Sequence, residues 1–357
     1  MIFLWVDDLL IASSPHLMPI IKRRLSETYK IEDRWPLTYS LGFKIQRDRT
    51  ARSVSLSAPN YVSDILTFSN MLDCAPLSIP MDPSLNFQSE ASPPVPTGTP
   101  DRRIAGQFLH LCITTRPDIA VAVGVLCRYN SKPLSIHWNA MKRLIRYLKG
   151  TMHYGIVLSG SLELIGWSDA NWATNTENRR STSGYLFQLG SAPISWSTKP
   201  QNSVALSTCE AEYIAMAAAA QEAIWLTDLL NDIGISQPSM IIKEDNQAAI
   251  ELTKNTRNHS RTKHIDIRFH FLKDLVLKKS LKVIYCPTAE MIADIFTKPL
   301  STSTFTVLRT LLGVHDLTTS ISGFRGSVEI NPIMDDHAAS CGNETPPRTI
   351  NSFDKKE

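Results

Sequence analysis

The sequence contains neither a cysteine framework nor a stretch that could cross a membrane. Its cysteines form no Cys-x-x-Cys pair and no zinc-like spacing with histidine, which predicts reduced thiols and excludes a disulfide scaffold. No apolar run approaches the roughly 20 residues that a bilayer requires. Asp7 and Asp8 interrupt the place where a signal peptide would have its apolar core. We therefore expect a soluble intracellular protein, in the cytoplasm or nucleus, without a membrane partner.

A strong excess of charge of one sign is also missing. The formal net charge is only +3, from 37 basic and 34 acidic residues, and the 43% hydrophobic content of 357 residues is enough for two or more cores. The basic residues are nevertheless clustered, as phosphate backbones require. Candidate nucleic-acid contacts are Arg143, Arg146, Arg179, Arg180 and Lys263. For Arg179 and Arg180, a merely solvated turn is the alternative.

Carboxylates end or begin four separate elements in the second half of the chain. Asp169 ends an apolar strand that starts at Leu164, and Asp245 ends another that starts at Met240. Glu210 lies in the first turn of an Ala-rich helix predicted over 207–233, and Asp294 lies in a short helix over 289–296. All four acids can converge on one site.

Such a set of oxygen ligands suits Mg²⁺, and two Mg²⁺ ions about 3.5–4 Å apart stabilise the attacking and leaving oxygens in phosphodiester cleavage. The sequence therefore predicts a nuclease with Asp169, Glu210, Asp245 and Asp294 as catalytic residues and metal ligands. Glu212, two residues after Glu210, is predicted to point to the other side of the helix and to lie on the surface. An isolated Asp at a strand tip would more often be a turn residue.

Six short strings in the same region resemble the ribonuclease H domain at the C-terminal end of copia-type retrotransposon polyproteins. The strings are SDANWA from 168, RRSTSGY from 179, STCEAEY from 207, EDNQAA from 244, KHID from 263 and ADIFTKPL from 293. The resemblance implies a ribonuclease H-like α/β fold, a mixed sheet flanked by helices. It further implies two Mg²⁺ ions, with Mn²⁺ as an alternative, and the RNA strand of an RNA–DNA hybrid as substrate.

The N-terminal residues 1–12 are two apolar arms around Asp7 and Asp8, which predicts a hairpin with both acids at its bend. This hairpin resembles the palm hairpin of reverse transcriptases, with Trp5 in place of the usual Tyr. An inherited polymerase site and an ordinary acidic turn remain alternatives for the two acids. Since the other polymerase parts would lie upstream, we expect no DNA polymerisation by this chain alone, and an upstream reverse transcriptase segment is a candidate partner.

The predicted organisation has five parts. Residues 1–90 form a palm remnant and thumb-like region, 91–100 a Pro-rich linker, 101–160 a helical connection, 161–314 the ribonuclease H-like domain, and 315–357 a disordered tail. Two functional alternatives to a nuclease stay open at this point. One is a non-catalytic nucleic-acid binder, and the other is an inert retroelement remnant.

Overall fold

The strands of the described chain form two five-stranded sheets and a separate hairpin. The computed structural model describes residues 1–318, apart from 35, 86, 88–91, 97, 100, 175–177 and 255–265. The strands are β1 (Ile2–Trp5), β2 (Asp8–Ile11), β3 (Tyr39–Ser40), β4 (Phe43–Asp48), β5 (Ser53–Ser57), β6 (Tyr154–Leu158), β7 (Leu164–Asn171), β8 (Thr182–Leu189), β9 (Ala192–Pro200), β10 (Met240–Glu244), β11 (Leu281–Tyr285) and β12 (Val314–Asp316).

Nine α-helices connect or cover these strands within the described residues. They are α1 (Met18–Thr28), α2 (Pro59–Phe68), α3 (Asp101–Thr114), α4 (Ala120–Cys127), α5 (Ser135–Gly150), α6 (Thr208–Asp232), α7 (Gln247–Lys254), α8 (Asp266–Leu277) and α9 (Thr302–Leu311). Three short 3₁₀ segments lie at Pro117–Ile119, Thr288–Glu290 and Ile292–Phe296.

The sheet that carries the predicted site, called the central sheet, has the order β11-β10-β7-β8-β9. Strands β7, β8 and β9 form an antiparallel meander, whereas β10 pairs in parallel with both β7 and β11. Helices cover both of its faces, so strand β7 is buried at six of its eight positions. This confirms the predicted α/β class with a ribonuclease H-like mixed sheet.

One face of the central sheet packs on helix α6. The helix is rich in alanine and is capped by Ser207, whose Oγ accepts a hydrogen bond from the Glu210 backbone N–H at 3.2 Å. Its buried stripe includes Met216, Ala219 and Ala223, which pack against Phe187 and other apolar side chains of the sheet. Small alanine side chains let the helix lie close to the strands, which places its N-terminus beside the end of β7.

The other face packs on the connection helices α3, α4 and α5. Trp167 and Leu186 of the central sheet share one buried cluster with Phe108, Leu126 and Leu144 of these helices. The Trp196 indole N–H also donates to the Cys112 backbone carbonyl at 2.7 Å. The connection therefore forms the second wall of the core on which the central sheet depends.

The second sheet has the order β12-β6-β5-β4-β3, and all its strands pair antiparallel. It joins β4 and β5 from the predicted thumb-like region, β6 from the connection and β12 from the end of the chain's described part. The predicted domain boundaries at residues 90, 160 and 314 stay a prediction. This sheet contains residues from both sides of each boundary. Beyond residue 318, the predicted tail lies outside the described residues.

Strands β1 and β2 form the predicted N-terminal hairpin, with Trp5 paired to Asp8. Both strands are exposed, including Leu4 and Trp5. None of the helices among the described residues combines the length and apolar character needed to cross a membrane.

Candidate metal centre

Three carboxylates from β7, α6 and the end of β10 converge at one edge of the central sheet. One carboxylate oxygen from each of Asp169, Glu212 and Asp245 lies within 4.8 Å of the other two. Two of these three, Asp169 and Asp245, were predicted from the sequence, and the third was not. The parallel pairing of β7 and β10 explains why acids at the carboxyl ends of both strands meet.

Asp169 is buried in β7, where it lies opposite Gly184 of β8. The Thr297 hydroxyl donates a hydrogen bond to its Oδ2 atom. This contact depends on Gly184, because a Cβ atom at that position would lie only 2.7 Å from Thr297 Cγ2 and 2.8 Å from Phe296 Cβ. The glycine thus lets the segment after Ile292–Phe296 approach the strand and fix the carboxylate's orientation.

Glu212 lies inside the protein, so its prediction as a surface residue is wrong. It is only 6% exposed, and its Oε2 atom is buried without a hydrogen-bond partner. The physical reason is its position on α6, because it begins the stripe that continues through Met216 and Ala219 to the sheet. A buried, unpartnered carboxylate oxygen is costly unless a cation satisfies it.

Glu210 lies outside this group of three, and its assignment as the α6 metal ligand stays a prediction. Its Oε2 atom accepts a hydrogen bond from the Leu206 backbone N–H at 2.9 Å, while Ser207 Oγ accepts from the Glu210 N–H. The two contacts resemble a capping box, except that the Glu210 side chain reaches Leu206, the residue before the N-cap Ser207. Glu210 therefore stabilises the start of α6.

Asp245 follows β10 and is held by the Thr288 hydroxyl, which donates to its Oδ2 atom at 2.8 Å. The preceding residue, Glu244, is fully buried and was missed in the sequence. Its carboxyl group accepts from Ser168 Oγ at 2.8 Å and from the Asn246 N–H at 3.2 Å. Glu244 therefore ties β7 to the turn that presents Asp245.

Asp294 is buried beside Asp169 and forms an ion pair with Lys298, whose Nζ atom lies 2.8 Å from Asp294 Oδ1. Burial, followed by the charge of Asp169, raises the pKa of Asp294 to about 7, although Lys298 opposes the shift. For Lys298, burial lowers the pKa, but Asp169 and Asp294 outweigh it and raise the pKa above its ordinary value. The predicted fourth acid therefore lies at the site, already paired with a cation.

The other buried acids also resist ionisation. Burial raises the pKa of Glu212 well above its ordinary value, and the charges of Glu244, Asp169 and Asp245 add to the shift. Burial likewise raises the pKa of Glu244, although the Ser168 hydrogen bond opposes it. This accumulation of negative charge is the situation in which a bound cation is most favourable.

The predicted nucleic-acid contacts fall into three groups. Arg143 and Arg146 bind the protein itself: an Arg143 guanidinium nitrogen lies 3.7 Å from Asp82 Oδ2, and Arg146 Nε donates to the Ala75 carbonyl at 2.7 Å. Arg179 and Arg180 are exposed just before β8, near the end of β7. Lys263 lies outside the described residues. The role of these five residues as nucleic-acid contacts stays a prediction.

Asp7 and Asp8 lie at the bend of the N-terminal hairpin, as the sequence predicts, and both are exposed. Among the described residues, the group of three acids that could hold a metal ion contains neither of them. The interpretation of these two acids as a remnant polymerase site stays a prediction.

The sequence also contained a signal for the position of Glu210 at the helix start. The pattern Ser207-x-x-Glu210 is the capping-box pattern itself, and it assigns Glu210 to the helix start. The residues at steps of three and four after Glu212 are as apolar as those after Glu210, so periodicity alone could not choose between the two. No comparable signal marks Glu244, whose role requires the register between β7 and β10.

Comparisons with known proteins place this chain among retroelement proteins. It is 38% identical over 322 residues to the retrovirus-related Pol polyprotein from transposon TNT 1-94 of Nicotiana tabacum, covering 88% of this chain and 24% of the relative. It is 37% identical over 324 residues to the corresponding polyprotein from transposon RE2 of Arabidopsis thaliana, covering 89% and 22%. The chain thus spans about a quarter of the length of these curated relatives.

Among solved structures, the chain is similar to LC11-RNase H1 in complex with an RNA/DNA hybrid. The TM-score is 0.30 at 12% sequence identity, and the alignment covers 38% of this chain and 94% of the other. No family model matches the chain.

Proposed function

We propose, from the premise that this chain belongs to the copia-type retrotransposon Pol family, that its ribonuclease H-like domain cleaves the RNA strand of RNA–DNA hybrids with divalent metal ions. The observation that carries the proposal is the convergence of Asp169, Glu212 and Asp245, with their oxygens within 4.8 Å of one another. In the proposed site Glu212 takes the place that the sequence assigned to Glu210.

The residues at the site fit a divalent ion for two reasons, the type of ligand atom that they offer and a buried oxygen that has no hydrogen-bond partner. All the groups offered are carboxylate oxygens, which Mg²⁺ and Mn²⁺ prefer over nitrogen or sulfur. The buried Oε2 atom of Glu212 has no hydrogen-bond partner, and a bound cation would satisfy it. Asp294, next to Asp169, would complete a set of four acids that could hold two ions.

When bound, such a pair of ions would activate a water molecule and stabilise the departing 3′ oxygen. The protein's own task is to hold the ligands in place before the substrate arrives. Thr297 orients Asp169, Thr288 orients Asp245, and Ser168 together with Glu244 fixes the strand ends between them. Orientation of metal ligands by such outer hydrogen bonds commonly contributes 10- to 100-fold to affinity or activity.

Recognition of the hybrid would rest on its shape, its phosphates and the RNA 2′-hydroxyl groups. The exposed side chains of Arg179 and Arg180 lie just before β8, close to the end of β7 that carries Asp169. Contacts of that kind read no base edges, so cleavage would be largely independent of sequence.

The test uses the full chain, a labelled RNA–DNA hybrid and Mg²⁺. The Asp169→Asn variant should abolish cleavage, whereas the control Asp274→Asn, which changes an exposed Asp paired with Lys278, should not. Equal cleavage by the wild type and Asp169→Asn would reject the proposal. A gel shift with the hybrid, without cleavage by the wild type, would instead select a non-catalytic binder.

A further inference from the structure

Lys298 brings a positive charge into the carboxylate cluster. Its Nζ atom lies 2.8 Å from Asp294 Oδ1, and the Asp294 side chain is only 6% exposed. Of the ion pairs among the described residues, this one includes an acid of the candidate metal centre, and the others do not. The other two pairs at i,i+4 spacing, Arg23–Glu27 and Lys278–Asp274, are exposed on helix surfaces.

The backbone on both sides of this lysine is held in place. Thr297, the residue before it, donates to Asp169, and Pro299 follows it. A residue before proline is restricted to extended conformations. The Lys298 side chain also lines a small cavity together with Met81, Asp118 and Phe305, so only part of it reaches solvent. The ion pair is therefore built into the fold, unlike an exposed surface pair that contributes little.

The charges of the site explain why a cation is needed there. Asp169, Glu212, Asp245 and Asp294 bring four carboxyl groups together, with Glu244 buried behind them. Without a divalent ion their mutual repulsion would favour opening of the site or protonation of the acids. An ammonium group at Asp294 offsets one of these charges, and it occupies a carboxylate oxygen that a divalent ion would also use.

We propose that Lys298 is an internal counter-cation of the metal centre, which neutralises Asp294 when no divalent ion is bound and yields that carboxylate when the ion binds. Metal binding would then be an exchange of one cation for another. The inference rests on the proposed function, because it assumes that Asp294 is a metal ligand. It assigns to Lys298 a role in setting metal affinity, separate from any contact with substrate.

The experiment measures binding of Mn²⁺ alone to the full chain, by electron paramagnetic resonance of the free ion, at a pH of about 8, above the ordinary carboxyl range. Lys298→Met removes the charge and keeps most of the side chain's length. It should bind Mn²⁺ about tenfold more tightly than the wild type, since one opposing charge within a few ångströms shifts a site's affinity by about this factor. In EDTA the same variant should unfold at a lower temperature.

Two variants serve as controls. Lys298→Arg keeps the charge and should bind Mn²⁺ as the wild type does. Lys278→Met removes the lysine of a remote i,i+4 pair of nearly the same length, 2.7 Å, and should leave Mn²⁺ affinity unchanged. If Lys298→Met fails to fold, Lys298→Gln, which can still donate a hydrogen bond to Asp294, should show the same tighter binding.

The outcomes separate the two proposals. If the wild type binds Mn²⁺ and Asp169→Asn does not, the metal centre stands. If, in that case, both uncharged Lys298 variants bind Mn²⁺ no more tightly than the wild type, the counter-cation proposal is wrong. If the wild type binds no Mn²⁺, or Asp169→Asn binds it equally well, both proposals are wrong. A lower unfolding temperature without a change in affinity would make Lys298 a purely structural residue and overturn the inference.

Discussion

The Glu210 carboxylate accepts a hydrogen bond from the Leu206 backbone N–H at 2.9 Å, and this contact assigns it to the start of helix α6. Glu212, about half a turn further on, is buried, and one of its carboxylate oxygens lies within 4.8 Å of oxygens of Asp169 and Asp245. Two glutamates separated by one residue thus lie in different environments, and mutation can test whether their roles differ.

Glu212→Gln should reduce hybrid cleavage by more than the roughly 10- to 100-fold that loss of an outer-shell partner costs, because the variant removes a proposed metal ligand. Glu210→Ala should leave cleavage intact and lower the free energy of unfolding by about 1 kcal/mol, the usual contribution of a helix cap. Cleavage rates and urea unfolding of both variants provide the check. The reverse pattern would restore the sequence-based choice of Glu210.

Gly184→Ala should damage the site without touching a carboxylate. The added Cβ would lie 2.7 Å from Thr297 Cγ2 and 2.8 Å from Phe296 Cβ, so the segment that carries Asp294 and Thr297 must move. We expect a loss of about 1–3 kcal/mol in stability, as for other overpacked positions, and a higher Mg²⁺ requirement for cleavage. Gly106→Ala is the control, because its Cβ meets nothing within 4 Å and should stabilise α3 slightly.

The stability of the metal-free protein should fall as the pH rises. Burial raises the pKa of Glu212, Glu244 and Asp294, the last to about 7, so the folded chain binds more protons than the unfolded chain above the ordinary carboxyl pKa of about 4. Thermal unfolding in EDTA should therefore occur at a higher temperature near about pH 5.5 than near about pH 8.5. Glu212→Gln should weaken this dependence, and an unchanged profile in that variant would contradict the assignment.

Arg146 should stabilise the fold and contribute little to nucleic-acid affinity. Its Nε atom donates to the Ala75 carbonyl at 2.7 Å, and its own carbonyl accepts from the Leu77 N–H. Arg146→Met should lower the free energy of unfolding by about 1–2 kcal/mol and leave the salt dependence of hybrid binding unchanged. Arg180→Met should reduce the slope of log affinity against log salt by about 1. A reduced slope in Arg146→Met would instead support the sequence prediction for that residue.

The fragment 161–314 should not behave as an independent domain. Trp167 and Leu186 share their buried cluster with the connection helices, and the fragment lacks β6 and all but the first residue of its partner β12. Removal of the connection would expose this apolar face, so we expect aggregation and binding of a hydrophobic dye, measured by light scattering and fluorescence against the full chain. Cooperative unfolding of a monomeric fragment would show that the central sheet is stable alone.

Local sequence patterns were sufficient for most elements of the fold. The alanine-rich stretch after Ser207 has strong helix propensity and a cap, and the helix runs over Thr208–Asp232 as predicted to within a residue or so. The apolar runs that end in Asp169 and Asp245 form β7 and β10, with only small differences at their ends. Each of these features depends on neighbouring residues, which the sequence shows directly.

The choice among the acids depended on tertiary structure. Glu210 and Glu212 both begin apolar stripes of α6, and only the packing of that helix on the sheet decides which carboxylate is enclosed. The contact of Thr297 with Asp169 across Gly184 joins residues 128 positions apart, and it brings the local Lys298–Asp294 pair to Asp169. The sequence by itself determined which elements form and which residue types gather near their ends. The register of the strands and the close approach that Gly184 allows decided which side chains meet, because distances between remote residues follow from packing and not from local propensity.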